Sequence, residues 1–240
     1  MKKLLAVILA SILLLGLVAC GKKDSDDDVL GNSTNDEYIN NVYNEILTYD
    51  VNDDGDLEIT GVINDGITEL NVTIPAEIKG RDVTGIADSA FKACVALKSV
   101  TFEGNLLYIG EAAFYGCTGL TEMTIPSTVT DIKANAFRGC TNLKSITLSA
   151  DLDTIEIAAF WDCTALENVV LPEKVAYIEG GAFWNCTSLT EIAIPSNVDT
   201  VGDAAFYGCT SLAKASYYEA TEMGDSAFDN CAENIVVTVK

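Results

Sequence analysis

The feature that most constrains this chain is a repeat of about 23 residues that runs through most of it. Cysteines recur every 23 residues, with a last step of 22: Cys94, Cys117, Cys140, Cys163, Cys186, Cys209 and Cys231. Each has a phenylalanine three residues earlier: Phe91, Phe114, Phe137, Phe160, Phe183, Phe206 and Phe228. Because one such unit is too small to bury its own apolar face, a period of this length predicts a solenoid of stacked coils.

Within each repeat, apolar and polar residues alternate for a few positions, as Met123 and Ile125 illustrate. Strict alternation predicts a strand with one buried face. The A-F-x-x-C segment predicts a single helical turn on the opposite side of the coil. The sequence therefore predicts a solenoid of α/β or mostly β class. We expect one short parallel strand and one short helical turn in each coil of 22–23 residues.

The two ends of the chain depart from the repeat, as the terminal units of a solenoid do. Residues 41–73 diverge from the pattern and predict an N-terminal β-hairpin cap. Residues 74–240 carry the repeat and predict seven coils. The last coil is one residue short and has Asn234 where leucine is expected.

The complete pattern, C-x-x-L-x-x-I-x-I-P-x-x-V-x-x-I-x-x-x-A-F-x-x-C, resembles the BspA-like leucine-rich repeats of bacterial surface proteins. The resemblance extends from about Thr48 to the C-terminus, with Phe102-Glu103 and the proline-free Leu148-Ser149 as departures. It implies a leucine-rich-repeat solenoid. It also implies a role in adhesion, through host extracellular proteins or other microbial cells.

The N-terminus predicts export. Lys2 and Lys3 precede an apolar run from Leu4 to Val18, which together are typical of a signal peptide, residues 1–19. The end of this segment, Leu17-Val18-Ala19-Cys20, resembles a bacterial lipobox, in which cleavage leaves a lipidated cysteine. An ordinary signal peptide cut near Ala19 is the alternative.

Lipidation at Cys20 would anchor the chain durably, because several acyl chains hold a protein where one does not. Residues 20–40 include the polar and acidic stretch GKKDSDDDVLGNSTNDE and predict a flexible tether. We therefore expect an exported protein, lipid-anchored at the bacterial cell surface, that meets the membrane only through this anchor.

Composition excludes several function classes. The chain has 36 Asp and Glu against 14 Lys and Arg, a net charge of −22, which argues against nucleic acid as a partner. It has no histidine, which excludes Ser-His-Asp, Cys-His and HExxH chemistry. No glycine-rich phosphate loop is present, and no pair of carboxylates interrupts the repeat as a glycosidase site would. We expect a monomer without enzyme activity or cofactor.

The repeated cysteines allow several interpretations. Disulfides between adjacent coils are possible in an exported protein, but the seven repeated cysteines are an odd number and cannot all pair with one another. Zinc sites place cysteines two to four residues apart, and a reactive thiolate needs a cationic neighbour. We favour a column of buried thiols that fill space.

The stretch DVNDDGDLEI is a weak calcium candidate. Asp50, Asn52, Asp54 and Asp56 match early positions of an EF-hand loop, but Gly61 stands where a bidentate glutamate should complete the site. A hairpin turn between two strands is the alternative.

A second candidate site follows the repeated phenylalanines. Because each Phe faces inward, the residue after it should face outward and form a partly exposed ridge. The candidate ridge consists of Tyr115, Arg138, Trp161, Trp184 and Tyr207. Aromatic surfaces suit protein or glycan partners. The alternative is that these side chains only cover the neighbouring coil and bind no ligand.

Together these features predict a non-enzymatic binding or adhesion module for extracellular protein partners. The alternative is a glycan-binding surface module that uses the exposed aromatic ridge. The strand surface that carries Thr101, Thr124 and Thr147 is the other candidate binding face.

Overall fold

The computed structural model describes residues 19–21, 46–63 and 67–240, which form a mostly β solenoid of about eight coils. Its strands in chain order are β1 (Ala19–Gly21), β2 (Leu47–Val51), β3 (Leu57–Ile63), β4 (Leu70–Ile74), β5 (Glu77–Ile78), β6 (Arg81–Ile86), β7 (Leu97–Phe102), β8 (Tyr108–Ile109), β9 (Glu122–Thr124), β10 (Asp131–Ile132), β11 (Ser145–Thr147), β12 (Thr154–Ile155), β13 (Tyr177–Ile178), β14 (Glu191–Ala193), β15 (Thr200–Val201), β16 (Lys214–Tyr217), β17 (Glu222–Met223) and β18 (Val236–Val239).

Each coil has two sides made of parallel strands. On the first face, β3, β6, β8 and β10 pair in order, followed by β12, β13, β15 and β17. On the second face, β4 pairs with β7, β9 with β11, β14 with β16, and β16 with β18; Asn168 adds an isolated bridge to Ser145. Ser145 pairs with Glu122 and Ile178 with Ile155. Residues at equivalent positions of successive repeats are therefore partners in the sheets. The sequence predicted one strand per coil, and the structure has two.

The third side of each coil is the turn side, which carries the A-F-x-x-C segments. The prediction of a helical turn here is wrong, since the described residues contain no helix. Some N–H groups do bond three residues back, as Cys117 N does to Phe114 O at 3.1 Å. Others bond to the next coil, as Phe114 N does to Ala136 O at 2.8 Å and Gly116 N does to Arg138 O at 2.8 Å.

This mixed pattern requires left-handed backbone. Ala112 has φ 53° and Gly116 has φ 70°, and both positions recur around the solenoid with positive φ. A residue in that region reverses the direction of its neighbouring N–H groups, which breaks the helical pattern and points alternate donors at the next coil. For alanine this conformation costs roughly 1–2 kcal/mol, which the inter-coil bonds and packing must offset.

The N-terminal segment joins the solenoid rather than standing apart as a cap. β2 and β3 are antiparallel partners, but β3 also pairs in parallel with β6, and β4 pairs in parallel with β7. Strands Leu57–Ile63 and Leu70–Ile74 therefore make a coil that lacks the phenylalanine and cysteine of the others. This coil could not be recognised from the sequence pattern, because it lacks the phenylalanine and cysteine that mark the other repeats.

Most of the predicted signal peptide and tether lie outside the described residues. Of them, only Ala19–Gly21 is described, as strand β1, which pairs antiparallel with β3. No described segment forms a helix that is long and apolar enough to cross a membrane.

The core is a set of columns parallel to the solenoid axis. The phenylalanines from Phe91 to Phe206 are completely buried, and successive rings lie 5.1–5.5 Å apart with planes within 13° of parallel. Parallel rings at this separation are offset-stacked, the arrangement that the ring quadrupole favours. The last ring, Phe228, is only partly buried because no coil follows it in the described chain.

We predict that the position of a phenylalanine in this column sets its contribution to stability. Phe137→Ala should lower the free energy of unfolding by about 3–5 kcal/mol, since a buried ring is lost between two stacked neighbours. Phe228→Ala, the matched control at the end of the column, should cost clearly less. Denaturant unfolding followed by circular dichroism measures both, and equal losses would contradict the proposed column.

Candidate functional site

The candidate ridge lies on the turn side, one residue beyond each buried phenylalanine. Tyr115, Arg138, Trp161, Trp184 and Tyr207 are all half-buried. The phenylalanine before each of them and the cysteine two residues after it are buried. The structure thus brings all five predicted residues together in one row.

The ridge is held by stacking between coils. The Trp161 and Trp184 rings lie 4.5 Å apart with their planes 1° from parallel, and Tyr207 lies 4.3 Å from Trp184, tilted by 31°. The guanidinium of Arg138 lies 4.6 Å from the Trp161 ring and 5.9 Å from that of Tyr115. Each is a cation–π contact, which is worth about 0.5–2 kcal/mol depending on desolvation.

Stacking decides which part of each ring meets solvent. One face of Trp161 is covered by Arg138 and the other by Trp184, and Trp184 is covered in turn by Trp161 and Tyr207. The edges of the rings and the in-plane edge of the guanidinium remain outside. The ridge is therefore a surface of edges rather than of open aromatic faces.

Local sequence supports this arrangement. Gly181 has φ 62°, and a Cβ there would lie 3.1 Å from Cε3 and Cζ3 of Trp161. Glycine thus leaves room for the indole where other coils have alanine, asparagine or serine. Arg138 Nη1 donates to Asn135 Oδ1 at 3.3 Å, which fixes one corner of the guanidinium.

Sequence reasoning missed two members of this site. Lys92 extends the row, because its ammonium lies 5.4 Å from the centroid of the Tyr115 ring. The signal for it was present, since Lys92 also follows a repeated phenylalanine. Asn135 positions Arg138, and no sequence pattern indicated that role.

The cysteine column is buried from Cys94 to Cys209, as predicted, with Cys231 partly buried at its end, and it also forms hydrogen bonds. Six thiols donate to the carbonyl oxygen of the phenylalanine in the preceding coil, at 3.0–3.2 Å: Cys117, Cys140, Cys163, Cys186, Cys209 and Cys231. Burial raises the pKa of Cys163 well above its usual range, and that of Cys209 to about 12. These thiols stay protonated at neutral pH, so they act as packed donors and not as nucleophiles.

The acidic turn is a compact connection between β2 and β3. Asn52 Oδ1 accepts from the N–H groups of Asp54 and Asp56, at 3.2 and 3.0 Å, and Asn52 Nδ2 donates to Thr84 Oγ1 at 3.1 Å. The side chain of the central candidate calcium ligand is therefore engaged within the protein. Among the described residues, no cluster of three or more His, Cys, Asp or Glu is placed to hold a metal ion.

The alternative binding face contains a groove of about 590 Å³ over β7, β9 and β11. Hydroxyls of Thr101, Thr124 and Thr147 line it, with Glu122 as its charged residue. Its lining includes no cation, and Phe102 is its one aromatic residue, so the ridge with its stacked rings and held cation is the better-defined candidate site.

Comparison with known proteins agrees with this geometry. A family model described as the BspA type leucine rich repeat region matches residues 84–213 and 178–239, in six copies. A leucine rich repeat protein from T. pallidum, known from its crystal structure, is 31% identical over 75% of this chain and 84% of that chain, with a TM-score of 0.69.

Two further solved structures match at lower similarity. A leucine rich cell surface protein from Faecalibacterium prausnitzii is 21% identical over 89% of this chain and 77% of that one, with a TM-score of 0.46. A leucine-rich repeat protein from Bacteroides ovatus is 23% identical over 81% of this chain and 70% of that one, with a TM-score of 0.48. None of the curated proteins matches the sequence.

Proposed function

The chain belongs to the BspA-type leucine-rich-repeat family, and from that membership we propose that it is a non-enzymatic binding module for extracellular protein partners. Proteins of this surface family generally serve in binding or adhesion. The observation that carries the proposal for this chain is the half-buried ridge from Tyr115 to Tyr207. Side chains of this kind, rigid and partly desolvated, are the ones that contribute most to protein interfaces.

The ridge is rigid because its side chains are already stacked. Trp161, Trp184 and Arg138 have lost much of their rotamer freedom before any partner arrives. Binding then costs less side-chain entropy, which is the usual advantage of a preorganised surface. The acidic turn and the thiol column offer no comparable surface to a partner.

The same geometry weighs against a glycan partner at the ridge. Sugar rings pack on open aromatic faces, through the apolar side of the pyranose. Here the faces of Trp161 and Trp184 are covered by each other, by Arg138 and by Tyr207. A protein partner, which can also use the edges of rings, fits this surface better.

We predict that the paired tryptophans carry partner binding. The purified full chain is tested against extracellular-matrix proteins and a glycan array, with and without calcium. Trp161→Ala/Trp184→Ala should reduce binding to a matrix protein at least ten-fold. Each ring is a candidate hot spot, whose removal costs about 1 kcal/mol or more of binding free energy. The change should be seen at unchanged circular dichroism.

Tyr177→Ala is the matched control, because Tyr177 is an aromatic residue with 43% exposure on the first face, away from the ridge. It should leave binding unchanged. Binding that survives the double substitution would move the site to the second face, and hits on glycans alone would contradict a protein partner.

We also propose that lipidation of Cys20 holds the protein at the bacterial cell surface. The lipobox-like residues Leu17 to Cys20 after an apolar run support this. Cys20→Ser should release the protein from the membrane fraction into the soluble fraction, which fractionation and immunoblotting measure. Retention of the variant on membranes would show that the anchor lies elsewhere.

A further inference from the structure

We propose that the ridge recognises a carboxylate-bearing, extended segment of its protein partner, with the carboxylate on Arg138 and hydrogen-bond acceptors on Trp161 and Trp184. This inference rests on the proposed function, because it names the chemistry of the partner at that same site. Three observations support it, and they concern the guanidinium, the indole edges and the covered ring faces.

Arg138 is held so that only its in-plane donors are available. Tyr115 and Trp161 lie on its two sides, and Nη1 donates to Asn135 Oδ1. Within the described part of the chain, the ion pairs are those of Lys133 and Lys174, so no carboxylate occupies this guanidinium. The planar fork of arginine matches a carboxylate approaching in its own plane, where two parallel hydrogen bonds form.

The indole groups also present donors. In the described residues, neither Trp161 nor Trp184 has a hydrogen-bond acceptor for its N–H, and neither nitrogen is buried without a partner. Both indole nitrogens therefore keep some exposure to solvent. For Trp161 the Cε3–Cζ3 edge lies against Gly181, which leaves the N–H edge on the opposite side of the ring.

The middle of the ridge, from Arg138 to Trp184, is thus a row of donors whose faces are closed. Guanidinium and indole groups donate and do not accept, so a complementary ligand must supply acceptors. A carboxylate satisfies the fork of Arg138, and main-chain carbonyls of an extended segment satisfy the indoles. A uronate polymer also carries carboxylates, but its sugar rings would find no open face on Trp161 or Trp184 to stack on.

The net charge of −22 does not prevent such binding at physiological salt. At 0.15 M ionic strength the Debye length is about 8 Å, so distant acidic residues are largely screened while a direct contact on Arg138 is not. Lys92, stacked on Tyr115 in the same row, adds a second cation at one end of the site.

The test uses the full chain in detergent and three probes: a Glu-Gly decapeptide, a Gln-Gly decapeptide and a galacturonate oligomer. Calorimetry measures affinity, and the ¹⁵N indole spectrum locates binding, since the protein has two tryptophans. We expect the Glu-Gly peptide to bind about ten-fold or more tightly than the Gln-Gly peptide, and to shift both indole signals. Galacturonate should bind more weakly than the Glu-Gly peptide.

Three variants locate the carboxylate. Arg138→Gln should weaken binding of the Glu-Gly peptide about ten-fold or more, and Arg138→Lys should weaken it less, because charge is kept while the fork is lost. Lys144→Gln, which removes an exposed charge away from the ridge, should leave affinity unchanged. Unchanged thermal unfolding of each variant shows that the fold is intact.

Equal affinity for the Glu-Gly and Gln-Gly peptides, absence of indole shifts, or preference for galacturonate would each overturn this inference. So would equal effects of Arg138→Gln and Lys144→Gln. The double tryptophan variant can lose binding to a matrix protein while the unsubstituted protein fails to bind the Glu-Gly peptide. In that case the proposed function is supported, and only the inference of a carboxylate-bearing partner is contradicted.

Discussion

The hydrogen bonds that leave each coil on its turn side are the interaction on which this structure depends. Phe114 N donates to Ala136 O in the next coil, and Phe137 N repeats the pattern with Ala159 O. A helix would satisfy these donors within one coil and would add no hydrogen bond between coils on the turn side. Because the bonds cross between coils, no coil is complete alone, and stability is shared between neighbours as in other solenoids.

Several apparently separate features follow from that pattern. Left-handed residues such as Ala112 are needed to aim the donors, and the stacked phenylalanines bury the space beneath them. The cysteines complete the arrangement, since each phenylalanine carbonyl that accepts from a cysteine N–H of its own coil also accepts a thiol from the next. Cysteine at this position is therefore a small buried donor, a combination that alanine or valine lacks.

The ridge follows from the same repeat register, which places one side chain of each coil on the surface. Once the phenylalanine of each coil points inward, the following side chain points outward at the coil spacing. Planar groups at that spacing stack, as Trp161 and Trp184 do at 4.5 Å. Stacking closes their faces and leaves donors along the edge, which is why the ridge favours an acceptor-rich protein segment over a sugar.

Much of this could be predicted from the sequence because the marker residues recur in strict register. The solenoid, the buried phenylalanine and cysteine columns and the five residues from Tyr115 to Tyr207 of the ridge all follow from counting positions. The left-handed turn could not be predicted, since Ala112 and Ala204 carry no signal for positive φ. The coil of β3 and β4 was missed because it lacks the marker residues. The covered ring faces depend on side-chain stacking, which sequence spacing does not specify.

The most direct test of the inter-coil bonds is native-state hydrogen exchange at the amides of Phe114, Phe137 and Phe160. Each donates to the following coil in the structure. We expect these amides to exchange only through global unfolding, with the same free energy that denaturant unfolding gives. Rapid exchange at these positions, as in an exposed loop, would show that the turn segments open locally and that the inter-coil bonds do not hold the solenoid together.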